Sequence, residues 1–454
     1  MRAVRTALMV VAGFVLLQVV FFVLLVGGAA VPDSAVARSL ARDVAAGAYG
    51  PSGMKDRMGG GADTFTECVV AGTGLSAPDL GVLDRAALMP RLDSCKGGAT
   101  QIRALARGEQ VDGFVPYFRY WAGYTVLTKP LIAMFGLTGL RVLVGAALVA
   151  ALGWVVWAVR RTVSTGAALA LVAPLVVASN VMSTPSTSVS HAITISTYLA
   201  CAGATALAAA RSLNWGLIAV GASAAIFCFI DLLTTPAAGW MLSTAVLAGV
   251  TWVRTAGLRQ TLQAVVLGGI IWPVAFGATW FTRWLIAVPA AGVDVVRRDV
   301  VDKVLFRTSG EYPGVRAGLG AATSVNVQYW VNHVATARAT SVGVSVVIVV
   351  AVGLIMRQRR RTRVGVLPTL AAGALIACPA ALGALWYEAL SNHSQIHEFF
   401  TDRNLPVSLG VLAFAALAAL EGARRAGNAI TRSDAPKEPG RSEPGQEEDL
   451  FVTS

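Results

Sequence analysis

Thirteen residues, Asn392 to Asn404, place two of the chain's four histidines, two carboxylates, an arginine and two phenylalanines between two long apolar runs. A connection that only had to turn the chain between membrane crossings would need a few neutral polar residues. Ionisable groups at the edge of a membrane are expensive, so a cluster of this kind reads as a site. His393 and His397 stand four apart and would share one helix face, as paired imidazoles do in helix-borne zinc sites. No third ligand stands at a recognisable spacing, so no metal is assigned. Arg403 offers the bidentate fork suited to phosphate, with a headgroup anchor at a helix end as its plainer use.

Other polar residues fall on the same side of the expected topology. His191 follows a Ser/Thr-rich turn at the mouth of its span, and Asp231 lies within an apolar helix about one turn from its outer end, ahead of Thr234-Thr235-Pro236. Pairing with an arginine or a backbone donor would explain Asp231 equally well. Asp63 and Glu67 stand four apart and would share a helix face, which is ordinarily a solvated acidic face. Asp33, in Pro32-Asp33-Ser34, reads as a helix N-cap. Tyr117, Tyr120, Trp121 and Tyr124 recur at helical spacing ahead of Lys129-Pro130, a pattern that fits an interfacial belt on an in-plane or re-entrant helix. Together, Lys129, Arg403 and a protonated histidine can hold a phosphate or pyrophosphate, while a carboxylate opposite them takes the proton of an acceptor hydroxyl. A lipid-linked sugar phosphate presents its headgroup at this level.

The elements that must position these groups are membrane spans. The chain has 454 residues, 55% hydrophobic and 14% charged, with a mean hydropathy of +0.64, too little charge to cover a soluble surface. Its apolar runs match the roughly 20 residues that cross a bilayer as a helix. The expected fold is an all-α polytopic membrane protein of about ten transmembrane helices. A first span lies in 1–30, and an external loop with in-plane helices occupies 31–137. Bundle segments cover 138–288 and 339–425 around a second external loop, 289–338, and a disordered cytoplasmic tail takes 426–454. Arginines flank alternate runs, as at Arg160-Arg161, Arg254 and Arg357 to Arg363, and by the positive-inside rule both termini are cytoplasmic. The net charge of +12 is therefore topology rather than a sign of nucleic acid. Cys68 and Cys95, both in the first external segment, can form a disulfide outside the cytoplasm. Cys201, Cys228 and Cys378 lie in apolar runs as packing residues.

This layout resembles that of the type C (GT-C fold) membrane glycosyltransferases: a first span leads into a large acidic external loop, and polar residues gather outside. Arg119 to Tyr124 with Lys129-Pro130-Leu131, Asp231 to Pro236, and Asn392 to His397 with Phe400 to Arg403 also look similar to a group of bacterial multi-span proteins. The glycosyltransferase resemblance implies transfer of a sugar from a polyprenyl-phosphate carrier on the outer face of the cell membrane. Its partners would be membrane lipids, a lipid-linked sugar donor and a glycan or lipid acceptor, with no nucleic acid. The acidic signature after the first span is represented by Asp33 alone, so Asp63 and Glu67 join it as candidate bases. Tyr120, Trp121, Lys129, His191, Asp231, His393, His397 and Arg403 form the candidate substrate-binding set. Some members of that superfamily use a divalent cation and others do not, which leaves the cofactor open. Two further classes stand beside this one: a transporter or flippase using Asp231 and His191 as a proton-coupled pair, and a non-catalytic assembly partner of the cell envelope.

Overall fold

The computed structural model describes residues 2–49, 63–75, 80–93, 95–111, 114–309, 312–357 and 365–433. The protein is an all-α polytopic membrane protein. Helix α1 (Arg2–Ala29) leads into a cap of four short helices, α2 (Asp33–Ala45), α3 (Thr64–Gly72), α4 (Val82–Leu88) and α5 (Cys95–Ala106). The bundle continues through α6 (Thr125–Thr162), α7 (Thr165–Val177), α8 (Thr184–Thr187), α9 (Val189–Arg211), α10 (Leu213–Ile230), α11 (Pro236–Thr255) and α12 (Leu258–Ala291). Two helices, α13 (Val293–Ser309) and α14 (Ala321–His333), then return the chain to α15 (Ala337–Arg357) and to α16 (Val366–Ala377) with α17 (Leu382–Ala389). The short α18 (Ser391–Ile396) and α19 (Glu398–Thr401) precede α20 (Asn404–Ser433).

Among the described residues nine helical stretches are long and apolar enough to cross a membrane, or ten if α7 and the segment Val181–Thr187, bent by 68°, count as one span. Their apolar faces explain the layering. Helix α11 carries Ala, Gly, Ser and Thr along much of its length and is buried on nearly all sides, so its neighbours can approach closely. Helix α1, by contrast, leaves much of its apolar surface open to lipid. Local chemistry sets the helix starts: Ser164 and Ser212 accept hydrogen bonds from the backbone N–H groups of Ala167 and Trp215, and Pro236 opens α11.

Chain alternation puts Arg160, Arg161, Arg211, Arg254 and Arg357 at one end of the bundle and the cap with α13, α14, α18 and α19 at the other. The cap is tied together covalently by the Cys68–Cys95 disulfide, which joins α3 to α5. Closing a loop of 27 residues contributes about 3 to 4 kcal/mol on a chain-entropy estimate.

Several local expectations are revised. The segment 117–124 is irregular rather than helical, and α6 begins only at Thr125. Gly136 has φ of 69° and ψ of −175°, so α6 is two helical pieces that meet at a break. Trp121 belongs to no interfacial belt: it is wholly buried against Phe21 and Phe229 and donates Nε1–H to the Thr279 carbonyl at 2.8 Å. Asp231 stands just after α10 rather than within it. Helix α20 runs on to Ser433, past the boundary assigned to the tail, and the rest of that tail, 434–454, lies outside the described residues.

Candidate functional site

Asp63 is the N-cap of α3, and its Oδ1 accepts the Thr66 N–H at 3.0 Å. The other carboxylate oxygen is free to face the bundle, where His191, in the first turn of α9, donates Nε2–H to Oδ2 at 2.8 Å. On the far side of the imidazole, Arg403 Nη1 stands 2.5 Å from Nδ1. A guanidinium can only donate, so Nδ1 must be the acceptor and the ring proton sits on Nε2. Asn180, between α7 and α8, fixes the guanidinium in turn by accepting from Arg403 Nε at 2.7 Å. Four segments distant in sequence thus form one chain, Asn180, Arg403, His191 and Asp63, with every donor aimed toward the carboxylate or away from the arginine. Burial opposes ionisation of Asp63, yet the hydrogen bonds from His191 and Thr66 outweigh it and hold the carboxyl below its ordinary value.

Glu67, one turn along α3, forms a buried ion pair with Arg141 of α6 and accepts the Val189 N–H at 3.4 Å. Here burial exceeds the opposing effect of Arg141 and pushes the carboxyl upward. Neither acid forms the solvated face their spacing suggested, because α3 is folded inward onto α6 and α9. Asp33 is likewise no cap. It lies in the first turn of α2, one place after the cap position at Pro32, and pairs with Lys129 Nζ at 2.9 Å and Arg85 at 3.2 Å. Lys129 also donates to the Gly74 carbonyl at 2.8 Å, so the lysine and the aspartate brace the cap against α6.

The C-terminal cluster closes the site from the other side. His393 is buried and its Nε2 donates to the Leu233 carbonyl at 2.8 Å. Leu233 has φ of 68°, an uncommon left-handed conformation for a branched residue, and this turns its carbonyl toward the imidazole. Asp231, two residues earlier, accepts from Thr234 N at 2.8 Å and from Thr194 Oγ1, one turn along α9 from His191, at 3.2 Å. His397 lies with its ring centroid 4.8 Å from that of His393 and stacks on Phe400 at 5.0 Å, and Phe400 also meets His191 at 5.0 Å. Burial, followed by the opposed influences of Asp63 and of Arg307 and His191, brings His397 down to about 4. His393 is held well below its ordinary value by burial first and by His397 and Arg307 next.

The structure therefore brings Asp63, Glu67, His191, Asp231, His393, His397 and Arg403 into one contiguous network, with the Asp33–Lys129 pair beside it across α3. Tyr120 is at its edge, where its hydroxyl meets Arg307 of α13. Trp121 is a core residue with no surface for a ligand. Among the described residues no three His, Cys, Asp or Glu side chains are grouped so as to hold a metal ion.

Arg141, Asn180, Arg283 and Arg307 were not singled out from the sequence. Arg141 and Arg283 each interrupt an apolar run, and an arginine inside a span was the available signal. Arg283 is completely buried and donates to the carbonyls of Tyr120 at 2.8 Å and Ala86 at 3.2 Å, fastening the irregular 117–124 segment and α4 to α12. No protein-family model matches the chain, and neither a curated protein nor a solved structure matches it.

Proposed function

We propose that the protein is a glycosyltransferase of the polyprenyl-phosphate-dependent kind, resident in the cell membrane with its capped end outside and both termini in the cytoplasm, acting in cell-envelope glycan synthesis. The observation that carries the reading is the delivery of a cap carboxylate, Asp63, to a histidine and an arginine at the ends of two spans. In this reading Asp63 takes the proton of the acceptor hydroxyl. Thr66 and His191 engage part of the acceptor capacity of its two oxygens, about four lone-pair positions, and the remainder can take a substrate hydroxyl. His191 and Arg403 act as positioning residues that keep the carboxylate ionised and oriented. Glu67 and Asp33 have a different part, since their charges are engaged by Arg141 and by Lys129 with Arg85, and they secure the cap that carries Asp63.

The test uses full-length protein in nanodiscs, a radiolabelled polyprenyl-phosphate sugar and an extract of envelope glycan or lipid acceptors. Transfer of label is expected, and Asp63→Asn should lower it about 100-fold or more, the usual loss on removing a general base. Label transfer undiminished in a folded Asp63→Asn variant, or no transfer by the parent protein from any carrier-linked sugar, defeats the proposal.

One observation favours a second reading. Asp231, bonded to Thr194 one turn below His191, extends the line of titratable groups from the cap into the bundle. In a transporter or flippase this line would carry protons, and vesicle uptake driven by a proton gradient would disappear with Asp231→Asn.

A further inference from the structure

Arg307 is the outlying cation of the network. It projects from α13 to the Tyr120 hydroxyl, with its guanidinium carbon 5.3 Å from the centre of that ring. Among the described residues it has no carboxylate within ion-pair distance, whereas Arg119, on the same face, is paired bidentately with Asp299 at 3.1 and 3.2 Å. The backbone of α13 is fixed at this point, because Asn392 donates to the Phe306 carbonyl at 2.8 Å. Arg307 therefore sits one residue from this contact with α18, the helix that carries His393 and leads to His397, and is within electrostatic reach of both rings. Both Arg307 and His397 are only half-buried, in contrast to the enclosed Lys129 and Arg403. A half-buried guanidinium on a phenol, with the half-buried His397 imidazole within electrostatic reach and no ion-paired carboxylate among the described residues, is a donor set for an anion with several acceptor oxygens.

We infer that Arg307, His397 and the Tyr120 hydroxyl form a phosphate-binding edge of the site, taking the phosphate group of a lipid-borne substrate. The identification of that substrate as carrier-linked rests on the glycosyl-transfer reading, while the phosphate chemistry stands on the donor set alone. The anion would face Arg307 from α13 and His397 from the α18–α19 junction, and the Tyr120 hydroxyl would bridge them to the cap.

Binding to the full-length protein in nanodiscs separates the possible sources of phosphate. One arm titrates polyprenyl monophosphate in a neutral-lipid disc, a second uses phosphatidylglycerol in the same disc, and a third adds inorganic phosphate or pyrophosphate from solution. Saturable binding in the first arm, weakened about tenfold or more by Arg307→Ala and less by Arg307→Lys, is the expected result. Saturable binding of the phospholipid or free phosphate with the same Arg307 dependence also supports the anion site, but removes the carrier-linked assignment. Arg297→Ala, at an exposed residue of α13, should leave the affinity unchanged. Parental affinity in an Arg307→Ala variant that melts normally overturns the inference, as does the absence of saturable phosphate binding in all three arms. Phosphate binding with this dependence but without sugar transfer would end the glycosyltransferase reading and leave the site intact.

Discussion

At the scale of single residues, the site is governed by which groups are denied a charge. His397 is held down to about 4 from an ordinary 6.5, so an unfolded chain binds a proton that the folded one refuses. Between those two values the unfolded state carries more protons, and stability must rise with pH. The contribution is fully present above about 6.5 and is lost as the pH falls toward about 4, at most on the order of 3 kcal/mol. Asp63 does not produce this slope: its carboxyl is lowered, so its stabilisation persists above the ordinary value of 3.8 and is lost only at more acid pH. Glu67, being raised, contributes the opposite slope above 4.5. Thermal unfolding of the detergent-solubilised protein from pH 8 to 4.5, compared with His397→Asn, isolates the imidazole. The parent should lose more stability than the variant on acidification, and parallel curves would contradict the assignment.

The sequence revealed these residues by type but not their partners. Histidines and acids beside apolar runs are conspicuous, whereas the 128-residue separation between Asp63 and His191 carries no local trace. The same limit explains why Asp63 and Glu67 read as a solvated face and Asp33 as a helix cap. Their charge partners Arg141, His191 and Lys129 are remote in sequence, and only the fold supplies them.

At the scale of elements, α3 is held by a charge pair removed from water. Arg141→Ala would leave Glu67 buried without its partner, and such a loss typically costs about 3 to 5 kcal/mol. Replacing both, with Arg141→Met and Glu67→Leu, removes the desolvated charges together and should recover much of the loss. Chemical denaturation of the single and double variants measures the difference. A single variant as stable as the parent would show that α3 is held by other contacts. Span positions were legible because length, hydropathy and flanking arginines are all local properties. The 117–124 aromatics repeat at helical spacing, yet the segment is irregular, because its backbone is held from across the bundle: Gly123 donates its N–H to the Phe229 carbonyl at 2.7 Å, so close that a Cβ there would lie 2.4 to 2.5 Å from that carbonyl and ring. Helix α14 escaped notice because it follows a glycine-rich stretch, and its start is satisfied from a distance by Glu388, which accepts from Gly320 N and Thr323 N at 2.9 Å each.

At the scale of the molecule, the functional reading depends on sidedness. In a Cys378→Ser background, Arg297→Cys lies at the capped end and Arg424→Cys at the opposite end, both exposed. An impermeant thiol reagent applied to intact cells should label the first and spare the second until the membrane is breached. The reverse pattern would put the acids and histidines in the cytoplasm and remove any role with an externally presented carrier.

The break at Gly136 bears on how such a molecule could open. Asp43 of α2 accepts the Leu137 N–H at 2.9 Å, supplying from another helix the cap that the second piece of α6 lacks. One turn further on, Arg141 donates to the Ala48 carbonyl at 2.9 Å and pairs with Glu67, and about two turns before the break Lys129 holds Asp33 and Gly74. These fastenings run in a row down one side of the cap, as the pins of a door run down its jamb. Any movement of the cap relative to the bundle must therefore break one of these fastenings or carry both pieces of α6 with it.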